Sequence, residues 1–151
     1  MRALLLLTAL AAAASLRGQV AVGPGVWRPI FPPEPGKEEI AVPAFLMDRV
    51  AATNADFLAF VRAQPAWRRD RVSRTLADEG YLSHWAGPDT LGAGVRPDQP
   101  VTRVSWFAAR AYCASRGERL PTVAEWELAA AASETEKDAS QDPAFRDQIL
   151  A

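Results

Sequence analysis

The run from residue 100 to 132, PVTRVSWFAARAYCASRGERLPTVAEWELAAAA, constrains the fold of this chain more than any other stretch. Its first part, residues 101–104, alternates valine with polar residues and predicts a short, half-buried strand. Ser105 suits a helix N-cap because its hydroxyl can accept hydrogen bonds from free amides of the first turn. Gly117 stands where a left-handed residue ends a helix, so we predict a first helix over residues 105–116. Its two packing faces comprise Ala108, Ala111, Tyr112 and Ser115, and beside them Trp106, Ala109 and Cys113.

A second helix follows, and we predict it over residues 122–132 because Thr122 and Glu125 form a capping box. The residues of this helix that share one face are Val123, Trp126, Glu127 and Ala130. A tryptophan on a packed face can bury about 200 Å² of surface, and the carboxylate beside it then needs a partner. We expect Arg119 to be that partner.

This run resembles the signature of the formylglycine-generating-enzyme superfamily, the sulfatase-modifying factors, whose usual form is VSWxxAxAYCxWxGxRLPTEAEWExAA. Ser115 replaces a common tryptophan, Val123 replaces a glutamate, and an alanine tail replaces Arg-Gly-Gly. Upstream segments that also resemble the family are FLMD at 45–48, TN at 53–54, FLAFV at 57–61 and YLSHW at 81–85. The resemblance covers residues 40–132 and corresponds to the first half of the family domain. It implies an α+β fold of the C-type-lectin-like type, irregular and rich in loops, which we expect to be incomplete in this chain.

The resemblance also implies a chemistry. Complete formylglycine-generating enzymes oxidise a sulfatase cysteine with molecular oxygen at a copper(I) site, which two cysteines in the C-terminal half of the family domain provide. Copper(I) is a soft ion that takes thiolate ligands, and this sequence contains a single cysteine, Cys113. The matching family position is structural, so we expect Cys113 to be a small buried apolar residue. A reactive thiol and an intermolecular disulfide remain open alternatives.

We therefore assign no catalytic, cofactor-binding or metal-binding residue. The calcium sites of the family lie mostly downstream of these residues, and none is carried over. The motif residues that we expect to be scaffold are Trp106, Tyr112, Arg119, Glu125, Trp126 and Glu127. Neither Ser83 nor Ser105 stands in a nucleophile-elbow pattern that would pair it with His84. The sequence also has no Gly-rich phosphate loop, no CxxC and no His-x-x-x-His, the last of which disfavours the iron-dependent sulfoxide synthases of the superfamily.

Residues 1–18 have the parts of a secretory signal peptide. A positive start, Met1-Arg2, precedes an apolar core of about a dozen residues and a run of small residues for cleavage, which ends at Ala14. The apolar core is too short to span a bilayer comfortably. We expect an exported protein, periplasmic or secreted, without a membrane span after cleavage; an uncleaved anchor is the alternative.

Residues 19–37 are a lead-in rich in proline and glycine, and residues 38–151 are the predicted sulfatase-modifying-factor-like domain. In the lead-in, we expect Trp27, Ile30 and Phe31 to hold the chain against the domain surface. After the motif, the sequence predicts a polar loop at 133–143 and a short amphipathic tail at 144–151.

The domain is predicted to open with a strand over residues 38–48, interrupted by Pro43, and a helix over residues 53–64. Thr53 begins a second capping pattern, with an acidic residue three positions later. The apolar face of this helix comprises Phe57, Phe60 and Val61.

The charge balance excludes a general affinity for nucleic acid, because 17 basic residues face 18 acidic ones and the net charge is −1. An arginine-rich segment at 66–78 is accordingly interpreted as a solvated face. We expect a protein or peptide partner and retain three hypotheses. The chain is an exported formylglycine-generating-enzyme-like protein without the active half, or a non-catalytic binding or accessory module acting on an exported metalloenzyme, or a small domain completed by oligomerisation.

Overall fold

The computed structural model describes residues 18–133 and 135–150. Residues 1–17 of the predicted signal peptide lie outside the described residues. The four strands of the described part are β1 Gln19–Val22, β2 Gly25–Trp27, β3 Ile40–Val42 and β4 Phe45–Asp48. Its α-helices are α1 Asn54–Ala63, α2 Trp106–Ser115, α3 Val123–Ala130 and α4 Pro143–Leu150, and a 3-10 turn spans Pro65–Trp67. Helices and small antiparallel sheets together make an α+β fold.

The four strands form two antiparallel pairs. β1 pairs with β4, with Gln19 opposite Asp48, and β2 pairs with β3, with Gly25 opposite Val42. The predicted first strand is therefore divided around Pro43, because proline has no amide hydrogen to donate to the partner strand. The lead-in is extended as predicted and supplies the other strand of each pair.

The lead-in is only partly held against the domain. Trp27 is half-buried and its indole N–H donates to the Glu127 carboxylate of α3. The prediction that Ile30 and Phe31 also anchor this segment is wrong, because their exposed fractions are 89% and 87%. These two side chains follow the end of β2, where neither sheet pairing nor a helix brings the backbone back to the core.

The helix ends are where local side-chain chemistry predicts them. The Ser105 hydroxyl accepts from the Ala108 amide at 3.1 Å, and capping boxes start at Thr53 and Thr122. Gly117 has φ +72°, the left-handed conformation that ends a helix without a steric penalty. The three predicted helices of the domain are thus confirmed, and α4 lies in the predicted amphipathic tail.

The hydrophobic core is an aromatic cluster between α1 and α2. Phe57 is 1% exposed, and its ring centroid lies 5.2 Å from that of Phe60 and 5.6 Å from that of Tyr112. Trp85 contributes the edge of its ring from the long connection between the two helices, 6.5 Å from Phe57 by centroid. The predicted packing faces of both helices are confirmed at these positions, because Val61 and Ala108 are fully buried.

The prediction of a strand over residues 101–104 is wrong. Arg103 has φ +54°, which is incompatible with an extended strand, and its carbonyl accepts from the Leu82 amide at 2.8 Å. Leu82 itself has φ +49°, so two left-handed residues hold each other. The start of the segment is tied to the residues before α1 by a hydrogen bond from the Val101 amide to the Ala52 carbonyl at 2.9 Å.

Of the four arginines in the segment at 66–78, Arg71 and Arg74 are exposed as predicted, whereas Arg68 and Arg69 are half-buried. Arg69 turns inward, and its Nη1 donates to the carbonyls of Leu82 at 3.0 Å and Trp85 at 2.8 Å. Arg69 thereby satisfies carbonyl groups of an irregular loop that no sheet or helix pairs. Within residues 18–133 and 135–150, no helix combines the length and the apolar character needed to cross a bilayer.

Candidate functional site

The loop that contains Ser83 and His84 does not assemble a hydrolase triad. The Ser83 hydroxyl accepts from Arg103 Nη1 at 2.9 Å, whereas the Ser105 hydroxyl caps α2. Burial, followed by the charge of Arg103, lowers the pKa of His84 and favours the neutral imidazole. Both serines therefore have the loop and cap roles that their sequence context indicates.

The best-defined ionic contact of the motif joins Arg119 to Glu125. Arg119 donates from Nη1 and Nη2 to the two carboxylate oxygens at 2.7 and 2.6 Å, and the Thr122 amide adds a third bond at 2.8 Å. The Arg119 guanidinium, then the Thr122 amide, lower the pKa of Glu125 from 4.5 to about 2. Glu125 remains ionised at neutral pH, which suits a scaffold residue at a helix start rather than a general acid.

The expected partnership between Arg119 and the Glu127 carboxylate is therefore wrong. Glu125 and Glu127 point in different directions on α3, and Arg119 reaches the first while Trp27 reaches the second. The region around Trp27 also packs closely on this helix, because a Cβ built on Gly25 would lie 2.7 Å from Leu128 Cδ1. Glu127 thus joins α3 to β2, a contact between distant parts of the sequence that helical spacing alone does not predict.

We expect Glu125→Gln to reduce thermal stability at pH 7 and to lose this effect in acid. The pKa of Glu125 is lower in the folded chain than in the unfolded chain. Its ionised form therefore stabilises the fold above about pH 4.5, and this contribution disappears as the pH falls towards 2. Thermal unfolding of both proteins from pH 7 to pH 2 measures the difference.

The exposed Glu79→Gln variant is the matched control for this experiment, and we expect little change at any pH. A stability difference between Glu125→Gln and the parent that stays constant down to pH 2 would contradict the assigned role of Glu125.

Cys113 is half-buried on α2 beside the charged side chains of Arg116, Glu118 and Asp48. Burial, followed by the negative charges of Glu118 and Asp48, raises the pKa of the thiol. The thiol is therefore protonated at neutral pH, and protonation opposes both nucleophilic attack and binding of a soft metal. This environment agrees with the expected packing role better than with a reactive thiol.

We predict that iodoacetamide alkylates folded Cys113 severalfold more slowly at pH 7.5 than a short cysteine peptide, because the thiolate fraction is reduced. Mass spectrometry of timed samples measures the rate, and the single cysteine makes the modified position unambiguous. The same chain unfolded in urea is the control and should react like the peptide. Equal rates in the folded and unfolded chain would contradict the assigned environment.

The helices α2 and α3 expose large apolar side chains, which the motif alone did not indicate. Trp106 and Trp126 were expected to be scaffold residues, yet 59% and 60% of their surfaces are exposed. Phe107 is 44% exposed and Val123 is 63% exposed. Tryptophan and phenylalanine are enriched at protein interfaces relative to the rest of a protein surface. The prediction that Trp126 lies on a packed face of α3 is therefore wrong.

The sequence analysis did not identify Phe107 and Arg110, which contact or lie beside Trp106, as candidate binding residues. The centroid of the Phe107 ring lies 5.3 Å from that of Trp106, and the Arg110 guanidinium carbon lies 5.5 Å from the Trp106 centroid. Helical spacing offers the signal that could have identified them, because they follow Trp106 by one and four positions, away from buried Ala108 and Tyr112.

No group of three or more His, Cys, Asp or Glu side chains in the described ranges is arranged to hold a metal ion. The α+β fold and the capped helices α2 and α3 agree with the resemblance to the sulfatase-modifying factors. The family model for the sulfatase-modifying factor enzyme 1-like domain matches residues 11–147, and the chain belongs to this family.

Three relatives illustrate the range of the similarity. An inactive C-alpha-formylglycine-generating enzyme 2 from Bos taurus is 36% identical over 118 residues, which cover 61% of this chain and 39% of that protein. A formylglycine-generating enzyme from Thermomonospora curvata is 31% identical over 147 residues, or 76% of this chain and 48% of that protein. A hercynine oxygenase from Mycolicibacterium thermoresistibile is 36% identical over 103 residues, which cover 61% of this chain and 23% of that protein. The chain thus spans less than half the length of these relatives.

Proposed function

We propose that this chain is an exported sulfatase-modifying-factor-like protein that does not oxidise a cysteine with the one thiol it carries. Export is supported by the charged start and apolar core of residues 1–18, which are typical of a signal peptide. The absence of oxidation is supported by the environment of Cys113. Among the similar proteins, one is named an inactive formylglycine-generating enzyme, and another is named a formylglycine-generating enzyme without that qualification.

The observation that carries the proposal is the donor set around Cys113. The copper(I) site implied by the family resemblance takes a pair of thiolates, whereas this sequence has one cysteine. The thiol of Cys113 has a raised pKa, and the carboxylates that act on it, Glu118 and Asp48, are hard ligands that copper(I) disfavours. The residues of this chain do not fit the copper(I) site, and we derive no reaction step through that metal.

A competition titration with a copper(I) chelator tests the proposal. We expect the purified chain to leave copper on the chelator, and Cys113→Ala to give the same curve. Stoichiometric copper uptake that the Cys113→Ala substitution abolishes would contradict the proposal.

Export is tested by producing the chain in a bacterial host and measuring the mass of the secreted protein. Recovery of the chain in the cytoplasm with the mass of the uncleaved sequence would contradict export.

A binding or accessory module is the second candidate function. The exposed aromatic side chains of α2 and α3 favour it, because their burial by a partner would remove large apolar surfaces from water. Sedimentation equilibrium separates this candidate from a domain completed by oligomerisation. A monomer at micromolar concentration supports the module, and a dimer that Trp126→Ala dissociates supports self-association.

A further inference from the structure

The outward face of α2 carries a compact group of side chains with the composition of a protein interface. This aromatic-arginine stripe consists of Trp106, Phe107 and Arg110. The two rings meet nearly edge to face at 84°, with 5.3 Å between their centroids, and the Arg110 guanidinium carbon lies 5.5 Å from the centroid of Trp106. Tryptophan and arginine are the residues that most often dominate binding energy at interfaces. The stripe is therefore preorganised by its own contacts and open to solvent.

The stripe carries a positive charge that is not neutralised locally. The sequence of α2, WFAARAYCAS, contains no acidic residue. In the part of the chain that the structure describes, no carboxylate makes a salt bridge to Arg110. This positive charge is local, because the whole chain has a net charge of −1. An occupant with negative charge would complement the stripe, and a basic occupant would be repelled by it.

A cavity of about 300 Å³ lies at the start of α2. Ser105, the residue before Trp106, lines this cavity together with Arg103 and Ser83. Arg103 Nη1 donates to the Ser83 hydroxyl oxygen at 2.9 Å, so the Ser83 hydroxyl hydrogen is free to point elsewhere. The hydroxyl of Ser83 and the remaining N–H groups of Arg103 are donors that suit a carboxylate.

One acidic residue, Asp78, also lines the cavity. Its Oδ1 accepts from the Gly80 amide at 2.9 Å, so this oxygen is engaged by its own turn. The hydrogen bond fixes the position of this carboxylate but leaves its negative charge, so Arg103 is the positive member of a mixed lining that also contains Ser83 and Ser105. The apolar part of an occupant would rest on the rings of Trp106 and Phe107, outside the cavity.

We propose that the aromatic-arginine stripe and the adjoining cavity bind an acidic peptide segment, in which carboxylate side chains stand next to apolar ones. The carboxylates contact Arg110 and Arg103, and an apolar side chain packs on Trp106. This inference rests on the second candidate function, a binding module, and names the chemistry of its partner. It is independent of the copper titration, so the failure of either proposal leaves the other standing.

Fluorescence anisotropy with three labelled, acetylated hexapeptides tests this inference. The acidic probe alternates glutamate with leucine, the neutral probe has glutamine in place of glutamate, and the basic probe has lysine. We expect saturable binding of the acidic probe only, and weaker binding as sodium chloride increases, because salt screens the charges of Arg110 and Arg103. Trp106→Ala and Arg110→Gln should each weaken this binding by about tenfold, the size of one modest interface hot spot.

Matched controls are available at similarly exposed positions of other helices. Trp126→Ala on α3 and Arg146→Gln on α4 should bind the acidic probe like the parent protein, because neither side chain belongs to the stripe. Far-UV circular dichroism verifies that all four variants retain the fold. The inference is overturned if the acidic probe does not bind at millimolar concentration, if all three probes bind alike, or if folded Trp106→Ala and Arg110→Gln bind like the parent.

Discussion

Replacing Phe57 by alanine is expected to lower the free energy of unfolding by about 3 to 5 kcal/mol. Phe57 is 1% exposed and contacts the rings of Phe60, Tyr112 and Trp85, so its removal leaves a cavity between α1 and α2 that rigid neighbours fill poorly. The loss is a large fraction of the roughly 5 to 15 kcal/mol that stabilises a typical domain. Urea unfolding, followed by tryptophan fluorescence, measures the change.

Phe31→Ala is the matched control, because it removes the same side chain from a position that is 87% exposed. We expect a change within about 0.5 kcal/mol for this variant. If both substitutions had similar effects, the aromatic cluster between α1 and α2 would not be the core of this fold.

Asn54→Ala is expected to destabilise the chain by about 2 to 4 kcal/mol, because several buried polar groups lose their partner at once. Asn54 is 3% exposed. Its Nδ2 donates to the carbonyls of Arg96 at 3.0 Å and Gln99 at 3.2 Å, and its Oδ1 accepts from the Trp85 indole N–H at 3.2 Å. One side chain thus ties α1 to the irregular segment before α2 and to the core tryptophan.

Gln64→Ala, at the exposed C-terminal end of the same helix, is the control for the loss of an amide side chain. Its expected effect is within about 0.5 kcal/mol. Near-ultraviolet circular dichroism should also change in Asn54→Ala and not in Gln64→Ala, because only the first contacts Trp85. Equal unfolding midpoints for Asn54→Ala and the parent would refute the proposed tie.

The features that sequence predicts well here are those set by residues close together in the chain. Ser105, Thr53 and Thr122 cap helices through bonds within their own first turns, and Gly117 ends α2 through its own φ angle. These interactions need no knowledge of the rest of the fold. The same holds for the buried face of α1, which follows from helical periodicity.

The features that sequence predicts poorly depend on distant partners. Residues 101–104 alternate as a strand does, yet the Arg103 carbonyl receives the amide of Leu82 in a left-handed conformation. Glu127 has its partner Trp27 one hundred positions away, on a strand of the lead-in. Arg69 looks like a member of a solvated cluster and instead binds loop carbonyls. Local pattern cannot distinguish these alternatives, because each is decided by tertiary contact.

The candidate binding surface also combines features that local sequence predicts with features that tertiary contacts decide. The resemblance to the family motif indicates that Trp106 and Trp126 are motif residues. Whether each side chain points towards the core or towards solvent depends on the whole domain. Both project into solvent from helices whose other faces are occupied, by the core in the case of α2 and by β2 and β3 in the case of α3. The proposed binding function rests on this exposure, and the peptide experiment tests it at Trp106.

The proposed function requires that one protonated, half-buried thiol does not support the oxidation implied by the family resemblance. Its most direct test is to incubate the purified chain with copper(I), oxygen, a reductant and a cysteine-containing sulfatase peptide. Oxygen consumption and peptide mass are followed together, with the Thermomonospora curvata formylglycine-generating enzyme as positive control. We predict that the relative converts the peptide thiol to an aldehyde while this chain leaves it unchanged. Aldehyde formation by this chain alone, abolished in Cys113→Ala, would contradict the claim.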